Sequence, residues 1–218
     1  MNQYKQEFIK FMIENEVLGF GEFTLKSGRK APYFVNTGKY RTGGQIAKLG
    51  EYYAEAYLEH GVSAKTLIGP AYKGIPLAVS TSIALSRRGV DTGFCFDRKE
   101  VKDHGEGGLF VGQALKDGDK VAIIEDVMTS GKALREVLPK IKAEANVEVE
   151  AMLISVDRME KALDSGKSAV QEAYDEYGIR VYSIVTVKDI IEAIETGVIA
   201  GKEYLSKMKE YLATYGAE

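Results

Sequence analysis

From Thr66 onward the chain alternates between two kinds of segment, and that alternation constrains the fold more than any other feature. Short apolar runs begin at Thr66 ("TLIG"), Thr92 ("TGFCF"), Val121 ("VAIIE"), Val147 ("VEVEAMLISVD") and Arg180 ("RVYSIVTV"), and their β-branched and apolar residues suit strands. Helix-like stretches from about Ile75 to Arg88 and from about Ala133 to Ala145 lie between them. Parallel strands need long crossover connections, and helices supply them. The pattern therefore predicts an α/β fold, with a central mainly parallel sheet flanked by helices.

Upstream, Thr42 to His60 also reads as helical, and Tyr4, Phe8, Phe11 and Met12 recur at the spacing of a helix stripe. Two extended candidates, "EFTL" and "PYFVN", flank the turn segment "KSGRKAP" and predict a small hairpin or hood. The residues between "TGFCF" and "VAIIE" read as a polar, glycine-rich loop, and Tyr204, Leu205, Met208, Tyr211, Leu212 and Tyr215 as the stripe of a closing helix. With no repeat, low-complexity tract or linker, the expected organisation is a single domain over residues 1–218, residues 1–40 contributing the hood.

The stretch "VAIIEDVMTSGKALRE" is the most unusual. Its apolar run ends in two adjacent acids, Glu125 and Asp126, followed by Thr129, Ser130 and Gly131 ahead of a helix. Ligands of open parallel sheets gather at the carboxyl ends of the strands, where helix N-termini present unpaired N–H groups suited to phosphate. Carboxylates repel phosphate, so the combination suits a ligand that offers a phosphate to the amides and vicinal hydroxyls, or a metal, to the acids. A ribose 5-phosphate has both features. An ordinary capped strand end explains the same acids without a ligand. The nucleotide-hydrolase phosphate loop does not fit: its pattern needs a glycine where Asp126 stands and a Ser or Thr where Ala133 stands. No G-x-G-x-x-G dinucleotide fingerprint follows a strand.

Charge and composition exclude other classes. With 29 basic against 32 acidic residues and a formal charge of -3, the chain lacks the basic excess of a nucleic-acid binder, so any anion site is local. No apolar run approaches the roughly 20 residues of a membrane span. The single cysteine, Cys95, cannot staple the fold, and Met1 to Glu16 carries no secretion-signal pattern, so a cytoplasmic protein is expected.

"AIIEDVMTSGKA" resembles the 5-phosphoribosyl-1-diphosphate (PRPP) motif of type I phosphoribosyltransferases. With "FTLKSGRKAPYFVN", "GPAYKGIPLA", "DRKEVKDHGEGG" and "SVDRME" in order and spacing, nearly the whole chain is similar to the orotate phosphoribosyltransferase family. The resemblance implies transfer of a phosphoribosyl group from PRPP to orotate, giving orotidine 5′-monophosphate and diphosphate in pyrimidine synthesis. It also implies Mg²⁺, carried mainly on the PRPP diphosphate with no dedicated protein metal site, and a homodimer that shares its catalytic loops. Glu125 and Asp126 would take the ribose hydroxyls, and Met128, Thr129, Ser130, Gly131, Lys132 and Ala133 would surround the 5-phosphate, with Val127 also among the PRPP-binding residues. The family more often has Asp at the first acid, and a small or hydroxyl residue at Lys132; that lysine either touches phosphate or points to solvent.

Cleaving the bond from C1 to diphosphate leaves positive charge on the ribose and negative charge on the leaving group, so cations that engage as charge develops are useful. "RKEVKDH" supplies Arg98, Lys99, Lys102 and His104, which the resemblance assigns to a mobile loop closing over PRPP, with Lys102, His104 and Asp126 as the catalytic set. A lone charge run of this kind is otherwise a solvated loop. Tyr72 and Lys73 would meet the diphosphate. For orotate, a planar carboxylate, the resemblance implies Tyr33 and Phe34 over the ring, Lys26 reaching both substrates, Thr129 on the base side and Arg158 on the carboxylate. Adjacent aromatics on a strand face opposite ways, so one of Tyr33 and Phe34 stacks while the other packs into the hood. Two other readings stand beside this one: a phosphoribosyltransferase for a purine or uracil, and a non-catalytic PRPP-sensing regulator.

Overall fold

The computed structural model describes residues 1–25, 27–98, 108–162 and 165–217 in full, and the backbone of 99–102. The N-terminal helix α1 (Gln3–Glu14) is followed by the antiparallel hairpin of β1 (Leu18–Thr24) and β2 (Lys30–Val35). Next come α2 (Gly43–Glu59), β3 (Thr66–Ile68), α3 (Gly74–Ser86), β4 (Gly93–Lys102), β5 (Gly108–Gly112), β6 (Lys120–Ile124) and α4 (Lys132–Glu144). The chain closes with β7 (Glu148–Asp157), α5 (Ala169–Tyr177), β8 (Arg180–Thr186), α6 (Val187–Glu195) and α7 (Leu205–Tyr215).

Six strands form one sheet in the order β5-β4-β3-β6-β7-β8, parallel throughout except that β5 runs antiparallel to β4. The strand period of two explains why the runs are apolar without interruption. Ala122 and Ile124 face a core shared with α1, α2 and α6, whereas Val121 and Ile123 face a second core under α4 and α5. Each fully buried isoleucine contributes about 1.5–3 kcal/mol of transfer free energy, so both faces must stay covered. Helix α4 does this with Leu134, Val137, Leu138 and Ile141, one apolar stripe at helical spacing. The hood rests on the C-terminal helix, where Tyr33 meets Tyr211 edge to face at 6.2 Å and the Arg29 guanidinium lies 4.8 Å from the Tyr215 ring centroid.

Helix α2 matches its expected span, with Thr42 and Gln45 forming a reciprocal capping box. The predicted glycine-rich loop is the main difference. Strand β4 continues through Lys102, and β5 returns along its outer edge with Gly108 and Gly112 at φ 104° and 107°. Those glycines hid the strand: residues of low strand propensity mark an edge that bends, not a loop. Helices α5 and α6 were also unanticipated, although Ser168 with Gln171 and Thr186 with Asp189 form the same kind of box as α2. Among the described residues no helix is long and apolar enough to cross a membrane.

Candidate active site

A pocket of about 270 Å³ opens at the carboxyl edge of the sheet, lined by residues 71–73 and 125–134 with Met152. Tyr72, Lys73, Glu125, Asp126, Val127, Met128, Thr129, Ser130, Gly131, Lys132 and Ala133, all expected from the sequence to meet PRPP, come together there. They arrive from two strand ends, those of β3 and β6, which are neighbours in the sheet.

The loop after β3 owes its path to two glycines. A Cβ on Gly69 would stand 2.3 Å from the Gly74 carbonyl oxygen, and one on Gly74 would stand 2.8 Å from the Ile124 carbonyl oxygen. No side chain fits between these backbones, so residues 70–73 are pressed against the end of β6. The Ala71–Tyr72 peptide bond within this loop is cis. Tyr72 is 66% exposed, and the Lys73 side chain is also well exposed, both open to an incoming ligand.

The acid pair is the electrostatic centre. Asp126 Oδ2 accepts hydrogen bonds from Lys73 Nζ at 2.7 Å and from the Thr37 hydroxyl at 2.6 Å, and Oδ1 accepts the Val127 N–H at 2.8 Å. Burial acts to raise the Asp126 carboxyl, but the Lys73 and Thr37 hydrogen bonds outweigh it and hold the group below its ordinary range. Glu125 behaves oppositely. Burial pushes it up to about 8, partly opposed by the Asp126 N–H it accepts and reinforced by the neighbouring Asp126 charge. The two adjacent acids are thus pushed in opposite directions. The backbone beneath them is pinned as well: Tyr53 donates its hydroxyl to the Glu125 carbonyl at 2.7 Å, and Ser155 donates its own to the Asp126 carbonyl at 2.6 Å.

Beyond the acids, Thr129 and Ser130 are exposed and Gly131 is buried at φ 66°, capping α4 from the left-handed conformation. The N-cap, Gly131, has no side chain with which to cap this helix, an arrangement that suits a ligand of opposite charge at the N-terminal amides. Lys132 points outward, 3.6 Å from Glu136.

Of the base-side residues, Thr129 lines this pocket, whereas Tyr33, Phe34 and Arg158 lie apart from its lining. Phe34 is 38% exposed and stacks on Phe23 at 5.5 Å, whereas Tyr33 is buried. The Arg158 guanidinium sits 4.8 Å from the Tyr33 ring centroid and donates to Glu160 Oε1 from Nε at 2.8 Å and Nη2 at 2.6 Å. Arg98 is partly buried at the base of the β4–β5 hairpin, its carbonyl accepting from Lys140. Lys26, His104 and the side chains of Lys99 and Lys102 lie outside the described residues. Three residues that hold the site's backbone or acids were not expected from the sequence: Thr37, Tyr53 and Asp97, whose Oδ1 accepts the Ala71 N–H at 2.7 Å. Only Asp97 had a signal, a charged residue closing an apolar strand.

A glycine turn at a helix N-terminus beside a carboxylate pair on a parallel sheet edge is an arrangement suited to a sugar phosphate. The phosphoribosyl transferase domain model matches residues 37–180, which span both loops of the pocket. The chain is 49% identical over 225 residues to an orotate phosphoribosyltransferase of Clostridium botulinum, covering all of both chains. It is 55% identical over 193 residues to one from Bifidobacterium adolescentis, covering 85% of this chain and 84% of that one. Among solved structures, the Francisella tularensis orotate phosphoribosyltransferase superposes with a TM-score of 0.87 at 40% identity, over 96% of this chain and 99% of that one. The chain belongs to the orotate phosphoribosyltransferase family.

Proposed function

We infer that the chain transfers the phosphoribosyl group of PRPP to orotate, yielding orotidine 5′-monophosphate and diphosphate for pyrimidine nucleotide synthesis. The observation that carries this reading is the convergence of Lys73, the Glu125–Asp126 pair and the Gly131 turn on one pocket. Each matches a different part of PRPP: cation for diphosphate, carboxylates for the ribose hydroxyls, amides for the 5-phosphate.

On binding, the ligand's diphosphate competes with Asp126 for Lys73, and Asp126 turns to the ribose hydroxyls. In the chemical step the bond from C1 to the diphosphate oxygen breaks, its electron pair leaves with diphosphate, and a ring nitrogen of orotate forms the new bond to C1 while its N–H proton passes to the released diphosphate or to water. Negative carboxylate density beside the ribose favours the positive charge that develops there. Magnesium, when bound, neutralises part of the leaving group's charge. As a hard cation that takes phosphate and water oxygens, it would ride on the diphosphate, with Asp126 and Glu125 the nearest carboxylates of the pocket. Lys102, at the end of β4, stabilises the departing diphosphate, with His104, Arg98 and Lys99 as further donors from the same segment. Phe34 offers its exposed ring to orotate, Lys26 reaches in from the hood and Thr129 touches the base side. The orotate carboxylate takes the place of Glu160 on Arg158.

In this reading the protein is a cytoplasmic homodimer in which the segment bearing Lys102, at the end of β4, serves the partner's site. Purified protein with magnesium and PRPP is expected to consume orotate, followed by loss of its ultraviolet absorbance. No consumption of orotate beside turnover of adenine or hypoxanthine would overturn the base assignment. Mixing inactive Lys102→Ala and Asp126→Asn proteins is expected to restore activity, and no rescue would overturn loop sharing.

A further inference from the structure

Asp97 closes the apolar run of β4 as a carboxylate only 8% exposed, next to a loop read here as the diphosphate binder. An anion in that place opposes the ligand, so its retention needs a reason. Its Oδ1 accepts the Ala71 N–H at 2.7 Å. Its Oδ2 pairs with the ammonium of Lys140, which also donates to the Arg98 carbonyl at 3.3 Å. Lys140 belongs to α4, the helix whose first turn faces the 5-phosphate end of the pocket. One ion pair therefore ties three pieces together: the 70–73 loop, the start of the β4–β5 hairpin and the phosphate helix.

Resting on the assignment of residues 71–73 to diphosphate, we propose that Asp97 is a positioning residue for that half of the site, with Lys140 as the cation that makes its charge tolerable. Asp97 fixes Ala71, and thereby the placement of Tyr72 and Lys73 toward the ligand. Lys140 cancels the carboxylate's repulsion of the incoming diphosphate. Removing Lys140 alone leaves a buried, unpaired anion beside an anion site. Removing both charges leaves a neutral acceptor, because Asn still receives the Ala71 N–H.

The test is calorimetric titration of magnesium diphosphate and of PRPP into the full-length wild-type, Lys140→Met, Asp97→Asn and doubly substituted proteins. Lys140→Met is expected to weaken diphosphate binding about tenfold or more, Asp97→Asn to change it little, and the double variant to recover most of the loss, a non-additivity that marks direct coupling. Diphosphate binding by Lys140→Met at wild-type affinity, or a double variant no better than Lys140→Met, overturns the proposal. A purely structural role would make the double variant worse than either single one. Should Lys140→Met fail to fold by its thermal melt, Lys140→Gln carries the same expectation and the same refutation. Wild-type turnover of orotate, measured alongside, separates the two readings: an inactive wild type sinks the proposed function, whereas an active one with indifferent variants sinks only this inference.

Discussion

Lys73 and Asp126 form an ion pair across the pocket, Nζ to Oδ2 at 2.7 Å, joining the loop after β3 to the end of β6. The lysine side chain is 62% exposed and the aspartate side chain 11%, so the pair is a lid of charge over a buried acid. Lys73→Gln removes that partner and, with it, the cation proposed for the diphosphate. The expected result is a fall of roughly a hundredfold in kcat/KM for PRPP, equivalent to losing a charge-assisted contact of about 2–3 kcal/mol. Steady-state kinetics with varied PRPP check it, and unchanged kcat/KM would place the cation elsewhere.

Glu125 and Asp126 give stability opposite pH dependences. Because folding raises the Glu125 carboxyl to about 8, the native state binds more protons than the unfolded chain between the ordinary carboxylate range and 8. Stability therefore declines as pH rises through that window and levels off above it. Asp126 is held low, so its contribution is present above the ordinary range and is lost as pH falls through its folded value. Glu125→Gln is expected to raise the melting temperature at pH 8 more than at pH 5 while impairing turnover. An equal shift at both values would show that Glu125 is not the titrating group.

Tyr53→Phe deletes the donor to the Glu125 carbonyl and leaves that buried oxygen without this partner. The expected destabilisation is about 1–3 kcal/mol, with weaker PRPP binding because the acid pair rides on that peptide. Chemical denaturation and PRPP titration report the two effects separately.

Gly131→Ala puts a Cβ at φ 66° and 3.2 Å from the Arg135 guanidinium. Strain of about 1–2 kcal/mol is expected in the turn, along with a rise in KM for PRPP and little change in KM for orotate. Arg158→Met should show the reverse selectivity, a higher KM for orotate with PRPP binding kept.

The sheet was legible because its strands are buried on both faces, which writes them as unbroken apolar runs such as Val121 to Ile124. The pocket lining proposed for the sugar phosphate was legible for a related reason: Glu125 through Ala133 are contiguous, so one stretch of sequence carries most of a candidate surface. Contacts made across the fold were not. Thr37 reaches Asp126 over a separation of 89 residues, and no local pattern announces a threonine that will cap a distant acid. Strand β5 was lost to its glycines, and α5 and α6 to their short length, where a 9-residue segment gives periodicity little room to show. For Tyr33 and Phe34, strand alternation predicted that one ring would turn inward, but only the packing of Tyr211 and Arg158 around Tyr33 decided which.

The backbone contact between Gly69, Gly74 and Ile124 has an evolutionary corollary. With no space for a methyl group at Gly69 or Gly74, the turn of the loop after β3 offers mutation almost nothing to adjust. The hairpin and the segment around Arg158 are built from side chains that can be exchanged one at a time. A lineage seeking a new acceptor would be expected to rewrite those surfaces and inherit the sugar machinery intact.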